Sequence, residues 1–191
     1  AKGTLSSSDE DDAAGRQPQD NREEVRALAA ATLCMVAIGH CQYTWTLFVE
    51  SYQRALRADE ASVQMGFSSF VALQTTSVLV LGLIMPSAQE RTSMAVGAIA
   101  LLVAMHGLAS ARSLGTFYAW AALMGVAVGS AYIVCMATSV RTFPRNRGLA
   151  AGIVGAGYGG GTLPTVALIE SSIDRRGGAA TLRYLAWALS L

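Results

Sequence analysis

Charged residues are scarce in this sequence. Asp, Glu, Lys and Arg make up 14% of its 191 residues, whereas a soluble domain carries about a quarter. Hydrophobic residues make up 52%, and the mean hydropathy is +0.40. The net charge is only +1, so the charge balance gives no reason to expect a nucleic-acid partner. These values argue against an ordinary soluble domain and indicate a membrane protein.

Motifs for metal binding, redox chemistry and catalysis are also missing. The three cysteines, Cys34, Cys41 and Cys135, lie inside apolar segments, and no Cys-x-x-Cys pair occurs. Neither histidine stands at a zinc-like spacing from them. We therefore expect membrane-buried thiols, no metal site and no cofactor. Because no nucleophile–base pair or pair of carboxylates lies within the apolar segments, we do not expect an enzyme.

Long stretches without any charge divide the sequence into predicted membrane spans. A charge at the centre of a bilayer is costly, and a lipid-exposed backbone must form its hydrogen bonds internally. A helix needs about 20 residues to cross the bilayer. We predict helices at about 27–49, 61–86, 92–111, 115–140 and 148–169, and an incomplete sixth at 179–191.

The polar residues outside these spans predict the topology. Residues 1–24 include an acidic, serine-rich run and are expected to be a disordered cytoplasmic tail, followed by a transmembrane bundle over 25–191. The loop with Arg141, Arg145 and Arg147 contains no acid. Since positive loops stay inside, we predict that this loop and the N-terminus are cytoplasmic. The protein is expected to be a multi-pass protein of the plasma or cell membrane.

Glycines recur at helical spacing on both sides of the arginine loop. Gly125 and Gly129 form one stripe, and Gly148, Gly152 and Gly155 form another. Small residues let helix backbones approach closely in lipid, so we predict two close-packing surfaces. The alternative is that these faces contact lipid.

Two blocks of the sequence resemble the oxalate/formate antiporter family of the major facilitator superfamily. They are QYTWTLF over 42–48 and a longer block made of Tyr132, FPRNRGLAAG over 143–152, GAGYGGG over 155–161 and Pro164. The resemblance implies an all-α membrane protein. It would be the six-helix N-terminal half of a twelve-helix facilitator, built from inverted three-helix repeats, with the sixth helix truncated.

The same resemblance implies a carboxylate-binding site formed by Gln42, Tyr43, Gln64, Tyr132 and Tyr158. Helical periodicity alone would favour hydrogen bonds to neighbouring helices, a common role of such side chains in bundles. The resemblance reverses that preference, and we predict that the five side chains share one cavity.

Two further polar residues within the spans are assigned structural roles. Gln74 lies off the helix face that carries Gln64 and Ser68. His40 lies off the face of Gln42 and Thr46, and the family has no histidine there. We favour a helix contact for His40 over an anion-binding or proton-coupling role.

One motif departs from the facilitator pattern. Facilitators usually carry GxxxDxxGxR between the second and third helices, where the Asp latches neighbouring helices. In the segment 82–91, Pro86 replaces the Asp and Gln89 the second Gly, whereas Arg91 remains. We therefore expect that the contact which this motif makes between neighbouring helices, here called the latch, is altered.

The expected function is secondary transport of small, oxalate- or formate-like carboxylates by alternating access. The cations that would offset the substrate's charge are expected from the second six-helix half, which lies outside this sequence. One alternative is a transporter of monocarboxylates or other organic anions in the same superfamily. A second alternative is a non-transporting membrane receptor or pseudo-transporter.

Overall fold

The computed structural model describes residues 18–84 and 89–188, with side chains from Arg22 onward. Within these ranges the chain is helical and contains no β-strand. The helices are α1 (Pro18–Tyr43), α2 (Trp45–Leu56), α3 (Glu60–Ile84), α4 (Glu90–Ser110), α5 (Leu114–Thr142), α6 (Arg147–Gly160), α7 (Val166–Arg176) and α8 (Gly178–Ala188). Residues 1–17 of the predicted tail lie outside the described residues, and the remainder of that tail is already part of α1.

Within the described residues, five helical segments are long and apolar enough to cross a membrane. They are Arg22–Tyr43, Glu60–Ile84, Glu90–Ser110, Leu114–Thr142 and Arg147–Arg176. We number these spans one to five, with α2 continuing span one. The predicted all-α architecture is confirmed, and the protein is an integral membrane protein.

Span four, which is α5, forms the centre of the bundle. It packs against α3 and α4, and also against α1 and α6. In the most apolar stretch of span four 56% of residues are buried, compared with 28% or less in the corresponding stretch of each other span. Phe117 and Val128 of α5 are fully buried, as is Phe70 on α3. The other spans are therefore arranged around α5.

Two spans are interrupted by breaks in the helix. In span one, Thr44 leaves helical geometry with φ −98° and ψ 2°, and its hydroxyl donates to the carbonyl oxygen of His40 at 2.6 Å. Such back-bonding by threonine tends to bend helices. In span five, a 3₁₀ turn over Leu163–Thr165 joins α6 to α7. Pro164 lies in this turn and cannot donate a backbone hydrogen bond.

Gly125 and Gly129 lie where α5 meets α3. A Cβ atom added to Gly125 would collide with the carbonyl oxygen of Phe70. At Gly129 it would lie 2.6 Å from the carbonyl oxygen of Gln74 and 2.9 Å from Cβ of Ser77. The two helix backbones can approach this closely only because both positions lack a side chain.

The second predicted glycine surface is wrong for the described bundle. A Cβ at Gly148, Gly152 or Gly155 would meet no atom within 4 Å. This segment instead approaches α1 through Gly157 and Gly161, where a Cβ would press on Thr32 and Val36 respectively. Gly157 and Gly161 are four residues apart and share a face, whereas the three predicted glycines point away from that face.

An ion pair joins the ends of α4 and α5 beside the altered latch motif. The guanidinium of Arg141, in the last turn of α5, pairs with the carboxylate of Glu90 in the first turn of α4. Both charges have the sign that the helix dipole favours at their ends. Pro86 lies outside the described residues, so the predicted change in the latch stays a prediction.

We predict that Gly129→Ala destabilises the protein, because the added methyl group must displace the backbone of α3. Overpacking of this kind costs about 1–3 kcal/mol, which a lower melting temperature in detergent should report. Gly115→Ala is the control on the same helix, since its Cβ would meet nothing within 4 Å. Equal melting temperatures for the two variants would contradict the close contact.

Candidate functional site

A cavity of about 350 Å³ lies between spans one, two, four and five. Its walls contain four of the five predicted site residues. The lining side chains are Gln42, Tyr43, Val71, Gln74, Thr75, Val78, Tyr132 and Tyr158. A space of this size lies at the lower end of small-molecule sites.

The hydroxyl of Tyr158 is the centre of a hydrogen-bond chain at this cavity. It donates to Oε1 of Gln42 at 2.7 Å and accepts from Nε2 of Gln74 at 2.8 Å. We call this chain the Gln74–Tyr158–Gln42 relay. It connects α3, α6 and α1, and Tyr158 itself is only 7% exposed. The relay therefore holds together three helices at one buried point.

Two further tyrosine rings pack edge-on against Tyr158. The ring centroid of Tyr43 lies 5.6 Å away at 70°, and that of Tyr132 lies 5.3 Å away at 83°. This geometry places the positive edge of one ring towards the negative face of another. The hydroxyls of Tyr43 and Tyr132 form no hydrogen bond with any other described residue. Both remain available to a ligand in the cavity.

Gly39 explains how Gln42 and Tyr158 come within hydrogen-bond distance. A Cβ at Gly39 would collide with the carbonyl oxygen of Tyr158, so α1 and α6 are in backbone contact there. Gln42 follows three residues later, nearly one helical turn, and its side chain lies on the same side of α1. This contact was not anticipated from the sequence, where Gly39 is a single glycine in an otherwise ordinary span.

No protein-family model matches the chain. The oxalate:formate antiporter of Oxalobacter formigenes is 33% identical to it over 157 residues, which cover 82% of this chain and 38% of that protein. The chain is oxalate/formate antiporter-like. The resemblance seen in the sequence is confirmed, and the spans are consistent with part of one half of a major facilitator. The chain covers well under half of the relative's length.

In this antiporter-like chain Gln64 lies apart from the other four predicted site residues, and its role in binding stays a prediction. It lines a separate cavity with Thr46, Val49, Glu50, Gln53 and Glu60. Gln64 precedes Gln74 by ten residues on α3, a rise of about 15 Å along the helix axis. The two glutamines therefore lie at different depths in the bundle.

Gln74 has the structural role predicted for it, through its bond to Tyr158 on another helix, and it also lines the cavity. Helical periodicity gave no sign of the cavity, because Gln74 is out of phase with Gln64 and Ser68. A better signal was its position in the middle of an uncharged span, since a polar group in lipid needs a partner. The phase of the surrounding polar residues could not show that this partner is Tyr158.

His40 makes a contact between helices rather than lining the tyrosine cavity. Its Nδ1 lies 2.7 Å from the carbonyl oxygen of Val36, and its Nε2 lies 2.6 Å from the hydroxyl of Thr165. A carbonyl oxygen only accepts, so Nδ1 carries the proton in the first bond. The second bond ties span one to the break in span five, which is the kind of role favoured for His40 from the sequence.

We predict that Tyr158→Phe lowers stability, because it leaves the amides of Gln42 and Gln74 without their shared partner. Leaving buried polar groups unpaired costs about 1–3 kcal/mol, measurable as a lower melting temperature. Tyr43→Phe is the matched control, since Tyr43 is 48% exposed and its hydroxyl bonds to no described residue. An equal melting temperature for both variants would show that the relay contributes nothing to folding.

Proposed function

We propose that this protein is part of a secondary transporter that moves small carboxylates across a membrane by alternating access. The observation that carries the proposal is the convergence of Gln42, Tyr43, Tyr132 and Tyr158, from three different spans, on one cavity. The relative named above is an oxalate:formate antiporter, which supports carboxylates as the substrate class and an antiporter as the kind of transporter.

The polar groups of the cavity suit an anion. Tyr43 and Tyr132 each offer a hydroxyl, and Gln42 offers the amide nitrogen that the relay does not use. All three can donate to a carboxylate. Hydrogen bonds to a charged acceptor are about twice as strong as those between neutral groups. The two valines of the lining keep part of the cavity apolar, which limits the space available to water.

Neutral donors alone do not offset the charge of a dicarboxylate. None of the eight residues that line the cavity is Lys or Arg, and an anion removed from water needs charge compensation. We propose that cationic side chains come from a second six-helix half of the full-length protein. In this arrangement the present chain orients the substrate and the second half neutralises it.

The two helix breaks support a transport role. Thr44, where span one breaks, follows Gln42 and Tyr43 directly, and α6 ends two residues after Tyr158. Discontinuous helices are typical of transporter binding sites near the middle of the bilayer. In both broken spans the predicted substrate-binding side chains lie within one turn of the break.

We also propose that the N-terminus and the loop at Arg145 and Arg147 face the cytoplasm of the cell membrane. Both arginines are exposed, and the loop between α5 and α6 carries no acidic residue. The positive-inside rule then fixes the direction of all five spans.

The orientation can be tested with single cysteines at the two ends of α5, in a background without the native cysteines. Arg112→Cys should react with a membrane-impermeant maleimide on intact cells. Asn146→Cys should react only after permeabilisation, because the membrane shields the cytoplasmic side. The reverse pattern would invert the topology.

The substrate site can be tested with Tyr43→Phe in the full-length protein. Loss of a donor to a charged group costs about 1.5–3 kcal/mol, so the Kd for oxalate or formate should rise about 10- to 150-fold. The measurement is titration calorimetry on the purified protein, together with uptake into proteoliposomes.

Tyr184→Phe is the matched control, since it also removes a tyrosine hydroxyl and Tyr184 packs against Trp187 rather than lining the cavity. It should bind and transport as the wild type does. A wild-type protein that binds small carboxylates without transporting them would favour a receptor. Equal losses in the two variants would show that the tyrosine cavity is not the binding site.

A further inference from the structure

We propose that Gln74 sets the direction of the Gln74–Tyr158–Gln42 relay and thereby makes the amide of Gln42 a donor towards the bound anion. Gln74 would then be a positioning residue that determines the preference for anions. The inference rests on the proposed function, because it concerns the same cavity.

The relay could in principle run in either of two directions. The hydroxyl of Tyr158 has one proton, so it donates to one glutamine and accepts from the other. In the observed direction Gln74 donates to Tyr158, and Tyr158 donates to Oε1 of Gln42. In the reverse direction Gln42 would donate to Tyr158, and Tyr158 would donate to Gln74. The two differ by rotation of both amide groups.

The buried end of Gln74 decides between these directions. Its Oε1 is buried and has no hydrogen-bond partner among the described residues. In the reverse direction the amide NH₂ of Gln74 would occupy that place. Buried N–H groups without a partner are rarer in proteins than under-satisfied carbonyl oxygens. The surroundings of Gln74 therefore favour the observed direction.

The direction of the relay determines what Gln42 presents to the cavity. With Oε1 of Gln42 engaged by Tyr158, its NH₂ group is the end left for a ligand. A carboxylate only accepts hydrogen bonds, so it is matched by this group. In the reverse direction Gln42 would present its oxygen, which repels an anion. The hydroxyls of Tyr43 and Tyr132 can rotate, whereas the relay holds the amide of Gln42 in one orientation.

The test is Gln74→Glu in the full-length protein near neutral pH. The introduced carboxylate only accepts, so Tyr158 must donate to it and Gln42 must donate to Tyr158. Because the fraction of protein with a competent Gln42 falls, the apparent Kd rises in inverse proportion. We expect at least about tenfold weaker binding of oxalate and formate, measured by titration calorimetry.

A second variant separates this mechanism from simple charge repulsion. In a Tyr158→Phe background the relay is already cut, so Gln74→Glu should there weaken binding much less than it does in the wild type. If the added loss is the same in both backgrounds, charge alone accounts for it and the inference is overturned.

An uncharged variant tests the same point if Gln74→Glu does not fold. Gln74→Met is similar in shape and has no preference for either direction. The competent fraction should then fall to roughly half and the apparent Kd should rise about twofold. Unchanged affinity in Gln74→Met would overturn the inference.

The wild type distinguishes failure of the inference from failure of the proposed function. If the wild type binds neither oxalate nor formate, the proposed function is wrong and the inference falls with it. If the wild type binds them and both Gln74 variants bind equally well, only the inference is wrong.

Discussion

The hydrogen bonds of one buried hydroxyl group, that of Tyr158, hold the candidate site together. Its two partners come from helices far apart in sequence, with Gln74 on α3 and Gln42 on α1. A lipid environment offers no water to replace either bond. The orientation of both amides and the side-chain bonds between the three spans therefore depend on the same atom. Under the proposed function, we expect a change at Tyr158 to affect folding and ligand binding together and a change at Tyr43 to affect ligand binding alone.

Backbone contacts bring these polar groups within reach of one another. Gly39 lets α1 touch the carbonyl of Tyr158, and Gly129 lets α5 touch the carbonyl of Gln74. Both contacts lie at residues of the relay. Glycines also pack away from the relay, as Gly161 does against Val36, and regular spacing occurs both at glycines that pack and at glycines that do not. Regular spacing of glycines shows that one face of a helix carries small side chains. The position of the neighbouring helix decides whether that face packs against it.

The sequence predicted the spans well and the site in part. Charge-free stretches of about 20 residues indicate helices within the membrane, whether they face lipid or are buried in the bundle, so the helices follow from composition and length. Tyr132 and Tyr158 could be assigned because their motif resembles a known family over many residues. The sequence could not show that Gln74 lines the tyrosine cavity while Gln64 lines another cavity nearer the start of α3, because depth along α3 depends on how that helix packs against α5. The position of a residue around its own helix does not show its depth relative to a neighbouring helix. It also does not show which glycine of α6 faces α1.

The broken spans are also the least apolar of the five. Their mean hydropathies are 1.3 and 1.2, compared with 1.8 for each of the three spans between them. Membrane proteins are made from the N-terminus onward, so Gln42 reaches the bilayer long before Tyr158, which follows 116 residues later. The first span must therefore be inserted with an amide that has no partner until the fifth span has been synthesised. Assembly of the site is a late step in biogenesis, and the apolar middle spans have to hold the bundle in the bilayer until then.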